Sequence, residues 1–178
     1  MGAREAVPDI PGVDQDWVTM ARNFYLDKQL QRKGRGRSVI IGAGSVGCEI
    51  AWYLAFLGRT VYLADILPYD GWLSSEHPTN RFILLEQLSE NGVYILDAAQ
   101  NLEIDTHDNT VSLTRNEVFY KIHTDDVIIA TGYKKSDRFF SHLKNKLQRG
   151  SVYAIGDWAE PRDIHWAIRE GYEIGNSI

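Results

Sequence analysis

Apolar positions along the chain fall into short blocks of two kinds. Val39-Ile40-Ile41, Val61 to Ala64, Val93 to Leu96 and Val127 to Ala130 are continuous apolar runs. Runs of that length predict strands buried on both faces, as in a parallel sheet. Leu102 to Asp105, Thr110 to Thr114 and Val118 to Ile122 alternate apolar and polar positions. The polar turns His107-Asp108-Asn109 and Arg115-Asn116 separate them, which predicts an antiparallel β-meander. Helical spacing appears over Trp17 to Leu30, Ser45 to Leu57, Thr79 to Asn91 and Ile164 to Ile178, and a further helix is expected over Arg138 to Leu147. In the third of these, Thr79 is the expected cap, Phe82, Ile83, Leu85 and Leu88 the inward face, and Asn91-Gly92 the stop. Ser151 to Ile155 reads as one more buried strand. The class is α/β: a Rossmann-like parallel sheet with an antiparallel β-meander insertion.

The junction between the first two buried strands carries the chemistry. Val39-Ile40-Ile41 runs into Gly42-Ala43-Gly44-Ser45-Val46-Gly47, a G-x-G-x-x-G turn, and a helix follows. The next strand ends at Asp65, 23 positions after Gly42, close to the ~20 expected of a dinucleotide-binding unit. Gly42 permits the tight turn. Gly44 leaves the backbone open to a pyrophosphate, and Gly47 lets helix and strand approach. The helix N-terminus favours the phosphate charge. Asp65 can accept hydrogen bonds from the ribose 2′- and 3′-hydroxyls and repels a 2′-phosphate. Ile66-Leu67-Pro68 after it add no positive charge. NAD(H) is therefore preferred to NADP(H). The alternative for Asp65 is a solvated acid at a strand end.

Composition narrows the partners. The chain has 178 residues, 44% hydrophobic and 24% charged, with a net charge of −5. These are the proportions of a globular protein, and the acidic balance argues against nucleic acid. The one basic cluster, Arg32-Lys33-Gly34-Arg35-Gly36-Arg37, reads as a solvated connection. No apolar run is long enough to span a membrane. The N-terminus has no secretory pattern, so a cytoplasmic setting is expected. A single cysteine, Cys48, excludes an intrachain disulfide. The five histidines have no ligand spacing, and no metal site and no catalytic acid or base is expected.

Two later stretches carry a resemblance. Asp125 to Tyr133, DDVIIATGY, and Ser151 to Ile178, SVYAIGDWAEPRDIHWAIREGYEIGNSI, resemble signatures of flavoproteins with two dinucleotide-binding domains. The second is most similar to multidomain NADH:flavin oxidoreductases of the 2,4-dienoyl-CoA reductase and trimethylamine dehydrogenase type. VPDIPGVD and the glycine-rich unit fit the same family in the same order. Trp158 departs from its pattern, which has a small residue or cysteine there.

The resemblance implies an FMN-bearing barrel and an FAD fingerprint ahead of this segment. The chain is then expected to be a piece: residues 1–36 a linker and helix from the absent FAD-domain half, 37–132 the NAD(H)-binding domain, and 133–178 the returning end of the FAD domain. The absent barrel and FAD half are the implied partners, and substrate contacts belong to the barrel. The resemblance places Glu49 near the nicotinamide, although a helix-surface glutamate is ordinary. It makes Thr131-Gly132 a crossing turn between domains. It gives Gly156-Asp157 to the ribityl chain of FAD, with FAD and FMN expected in the parent and not retained here. The implied function is to hold NADH for hydride transfer to a flavin outside the chain. The competing expectation is an adenine-nucleotide-binding module without NADH turnover. No oligomeric state follows from the sequence.

Overall fold

A computed structural model describes residues 2–28, 31, 34, 36–136, 142, 143, 146 and 152–178. The elements in chain order are β1 (Ala3–Glu5), β2 (Val18–Met20), α1 (Ala21–Phe24), β3 (Arg37–Ile41), α2 (Ser45–Phe56), β4 (Thr60–Ala64), α3 (Pro78–Glu90), β5 (Tyr94–Leu96), β6 (Gln100–Asp105), β7 (Thr110–Arg115), β8 (Val118–His123), β9 (Asp126–Ile129), β10 (Tyr133–Lys135) and α4 (Ile164–Gly175). They form two compact units, Val7–Thr131 and Met1–Ala6 with Gly132–Ile178.

The larger unit is built on a five-stranded sheet in the order β2-β9-β3-β4-β5. Every pairing in it is parallel. The continuous apolar strands follow from this placement, because both faces are covered. Ile40, Val61, Leu63 and Ile128 pack with Ile50, Ala51 and Leu54 of α2 and Leu88 of α3. Their neighbours Val39, Ile41, Ala64, Val127 and Ile129 pack with Ile104, Val111, Leu113 and Ile122 of the meander. Each such aliphatic side chain, fully buried, contributes roughly 1.5–3 kcal/mol. The meander is the separate antiparallel sheet β6-β7-β8. Its second hairpin turns through Asn116 and Glu117, at φ 48° and 64°, the positive pair that a right-twisted hairpin requires.

Five local expectations are corrected. Trp17 to Leu30 is not one helix: Val18–Met20 is a strand and only Ala21–Phe24 is helical. Val18 pairs with Val127 and Met20 with Ile129, so an open sheet edge outweighs a short helical periodicity. As a result β2 and α1 belong to the larger unit, where the sequence suggested a linker. Leu30 lies outside the described residues.

His77, not Thr79, caps α3; its Nδ1 accepts from the Thr79 N–H at 3.3 Å. Pro78 behind it sits where its missing N–H costs nothing. Phe82 and Ile83 are exposed, at 65% and 47%, while Leu88 is fully buried. The helix rests on the sheet by a narrower stripe than its apolar content suggested.

The smaller unit pairs β1 antiparallel with β10. Val152 to Ile155 carry no strand ladder, and Tyr153 and Ile155 are exposed. A strand exists only through a hydrogen-bonded neighbour, and no described residue supplies one there. The short 3-10 turn Gly156–Trp158 follows, then α4, which Asp163 caps by accepting from the Trp166 N–H at 3.1 Å. The helix expected over Arg138 to Leu147 lies largely outside the described residues. Among the described residues no helix is long and apolar enough to cross a membrane.

Candidate functional site

The glycine turn joins β3 to α2, and its three glycines stand in different environments. Gly42 has φ 109°, and a Cβ there would lie 2.5 Å from the Ala130 carbonyl oxygen. A Cβ on Gly47 would lie 1.9 Å from the Gly42 carbonyl oxygen. Both positions therefore exclude any side chain. Gly44 is the opposite case. Its φ is −73°, which any residue adopts, and a Cβ there would meet nothing within 4 Å. Nothing inside the described chain requires a glycine at position 44.

Gly44 is also the N-cap of α2, and no side chain caps that helix. By contrast, His77 and Asp163 cap α3 and α4. The first N–H groups of an uncapped helix are donors awaiting a partner, and the helix dipole makes that partner an anion. Ser45 and Val46 in this first turn are half-buried.

Asp65 closes β4 beside the turn. Its Oδ2 accepts from the Ala43 N–H at 2.6 Å and its Oδ1 from the Leu67 N–H at 2.8 Å. Each carboxylate oxygen keeps a second lone pair for a hydroxyl donor. A hollow of about 500 Å³ opens here, lined by Gly42, Asp65 and Thr131 together with Asp9, Ile10 and Asn101. Asp9 adds a second carboxylate that sequence reading passed over. It stands in an aperiodic lead-in, where no motif marks it.

Glu49 is not in this group. It is exposed on α2 and lines a separate, apolar hollow with Phe24, Trp52, Tyr53 and Phe56. Gly132, Gly156 and Asp157 belong to the smaller unit. There the Gly156 N–H donates to Glu170 Oε2 at 2.7 Å, and Glu170 also pairs with Arg162. Asp157 is exposed, beside Gly2.

Cys48, one residue into the helix past Gly47, is fully buried. Its thiol donates to the Ala43 carbonyl at 3.5 Å. Burial, then the negative charges of Asp65 and Glu49, push its pKa up to about 12, so it is an inert packing residue. Among the described residues no group of three or more His, Cys, Asp or Glu side chains is placed to hold a metal ion.

The geometry has clear relatives. The chain is 27% identical over 173 residues to the dihydrolipoyl dehydrogenase of Acholeplasma laidlawii, covering 88% of this chain and 49% of that protein. It is 29% identical over 157 residues to the cinnamate reductase of Clostridium sporogenes, covering 85% of this chain and 23% of that one. It therefore spans about half the length of the one and a quarter of the other. A solved 2-naphthoyl-CoA reductase superposes with a TM-score of 0.83 over 99% of this chain and 26% of that protein, at 23% identity, a likeness of fold. These relatives carry the names of oxidoreductases. The profile of pyridine nucleotide-disulphide oxidoreductases matches residues 1–171, so the chain belongs to that family.

Proposed function

We propose that this chain is the NAD(H)-binding portion of a flavin-dependent oxidoreductase and holds NADH for hydride transfer to a flavin bound outside it. The observation that carries the reading is Gly44. It is a glycine that neither its backbone angle nor its surroundings demand, at the head of an uncapped helix. A pyrophosphate approaching from outside supplies the missing reason.

The residues present fit NAD(H). The turn Gly42 to Gly47 receives the pyrophosphate through its backbone N–H groups. Asp65 accepts from the adenosine ribose, and with Asp9 in the same hollow two carboxylates disfavour a 2′-phosphate. Thr131 lines the same hollow. Glu49 is assigned to the nicotinamide end, in its own apolar hollow. When bound, NADH supplies the hydride; the chain positions it and needs no acid or base of its own.

The 2,4-dienoyl-CoA reductase-like parent, with an FMN barrel and an FAD-domain half as partners, is part of the same proposal. The cinnamate reductase and the 2-naphthoyl-CoA reductase, each about four times longer than the matched segment, support it. In that parent Gly132, Gly156 and Asp157 contribute to an FAD site that other segments complete.

Titration of the purified chain with NADH, NADPH and ADP, followed by nicotinamide fluorescence and competition, tests the reading. NADH is expected to bind about tenfold or more tighter than NADPH. Equal affinity for NADPH overturns the role of Asp65. Equal affinity for NADH and ADP turns the assignment to an adenine-nucleotide module without NADH turnover.

A further inference from the structure

The segment after Asp65 reads in the sequence as a loose connection, yet it is fastened at nearly every residue. The Asp65 carbonyl accepts from the Ala99 N–H at 2.8 Å. The Leu67 carbonyl accepts from the Ala98 N–H at 2.9 Å and from Trp72 Nε1 at 3.0 Å. Arg81 of α3 donates to the carbonyls of Asp70 and Trp72, both at 2.8 Å. The Tyr69 N–H is held differently, by a side chain: it donates to Asp97 Oδ2 at 3.0 Å.

Asp97 is itself held from the opposite side. Arg115, at the end of β7, donates through Nε at 2.8 Å and Nη2 at 2.5 Å, both to Asp97 Oδ1. The pair is largely covered, with 18% of the Asp97 side chain and 31% of the Arg115 side chain exposed. A charged pair of this kind fixes geometry more surely than a neutral one. The chain of bonds then runs Arg115 to Asp97 to Tyr69, and two residues back the Leu67 N–H sets the angle of the Asp65 carboxylate.

We propose that Asp97, braced by Arg115 of the meander, is a positioning residue for Asp65, and so helps set the choice between NAD(H) and NADP(H). This rests on the reading of Asp65 as the ribose-binding carboxylate. It gives the meander a second task besides covering the sheet. Asp97 does not line the adenosine hollow and acts only through the 66–69 backbone. Burial alone would raise the Asp97 pKa, but the Tyr69 N–H and Arg115 outweigh it and hold the carboxyl below its ordinary value. The bracing charge is therefore present throughout the neutral range.

The experiment compares the whole chain with its Asp97→Ala and Asp97→Asn variants. Thermal unfolding and the dissociation constants for NADH and NADPH are measured for each. Asp97→Ala is expected to weaken NADH about tenfold and to narrow the NADPH-to-NADH ratio by a similar factor. Asp97→Asn keeps an oxygen for the Tyr69 N–H but turns its amide NH2 toward the Arg115 donors, so it loses the brace and is expected to narrow the ratio in the same direction as Asp97→Ala. A structural role alone would lower the unfolding temperature and leave the ratio unmoved, so a folded Asp97→Ala with the wild-type ratio overturns the proposal. If Asp97→Ala does not fold, Arg115→Met decides: a folded Arg115→Met with a narrowed ratio supports the brace, and one with the wild-type ratio overturns it. A wild-type chain that binds no NADH overturns the NAD(H) reading itself, and this proposal with it.

Discussion

Asp65 Oδ2 lies 2.6 Å from the Ala43 backbone nitrogen, and this one bond ties the end of β4 to the glycine turn after β3. Two strands that are adjacent in the sheet are thereby locked at their C-terminal ends, where ligands of open α/β sheets bind. The same carboxylate is proposed to meet the ribose. Asp65→Ala is expected to weaken NADH by about tenfold or more, since a charge-assisted bond is lost and the turn is released. NADPH should change less, because a repulsive carboxylate leaves with the attractive one. Fluorescence titration of both nucleotides checks this. Equal weakening of the two would mean that Asp65 only shapes the turn.

Gly44 and Gly47 separate binding from folding. A Cβ on Gly47 would collide with the Gly42 carbonyl, whereas one on Gly44 would meet nothing. Gly47→Ala is expected to lower stability by about 1–3 kcal/mol or more, because backbone must move. Gly44→Val is expected to leave the unfolding midpoint nearly unchanged and to abolish measurable NADH binding. Urea unfolding and nucleotide titration on both variants read the contrast. A Gly44→Val chain that binds NADH normally would remove the main support for a pyrophosphate at this turn.

The β3–α2–β4 unit was legible because each of its determinants is local. Buried parallel strands show as unbroken apolar runs, and the glycines and Asp65 sit at fixed offsets. The meander was legible through its period of two. What escaped was decided at a distance. Val18–Met20 is a strand only because Val127–Ile129 offers an edge. Val152 to Ile155 has a strand's composition but no described neighbour to pair with. His77 was passed over as a cap because Thr79 has the more usual side chain. Asp9 and Asp97 carry no motif, and their partners lie far along the chain. Glu49 is linked to the nucleotide only by the resemblance, since it lines a different hollow from Asp65.

Two aspartates are expected to pull acid stability in opposite directions. Asp97 has a lowered pKa: burial opposes ionisation, but the Tyr69 N–H and Arg115 prevail. Its stabilisation is present above the ordinary value of 3.8 and is lost as pH falls below it. Asp126 has a raised pKa, because burial outweighs its ion pair with Arg59, and Asp125 and Asp27 add repulsion. Its ionised form costs stability above the raised value, and that cost disappears as pH falls. Asp97→Asn should therefore flatten the loss of stability in acid, and Asp126→Asn should steepen it. Urea midpoints between about pH 2 and 6 give both slopes, because the Asp97 loss runs downward from its ordinary value and the Asp126 relief lies above it. Parallel profiles for the two variants would contradict the assignment.

Cys48 offers a reporter inside the proposed site. Its thiol is buried, bonded to the Ala43 carbonyl, and raised to about 12 by burial and by the charges of Asp65 and Glu49. At pH 8 its thiolate fraction in the folded state is about one in ten thousand, so attack by a thiol reagent requires opening. For a domain stable by about 5 kcal/mol, an open fraction of order one in a few thousand limits the rate, if opening is global. A chromogenic disulphide reagent should therefore react slowly with the native chain and at once in urea. Opening that frees Cys48 must separate the Ala43 carbonyl from the helix, and this disrupts the turn at which nucleotide is proposed to bind. NADH at ten times its dissociation constant should then slow the reaction about tenfold, since only the closed form binds. ADP at the same saturation should protect equally, because the contacts involved lie at the adenosine and pyrophosphate end. Protection by neither would show that the turn opens with nucleotide in place, or that nucleotide does not bind there. The titration with NADH separates those two cases.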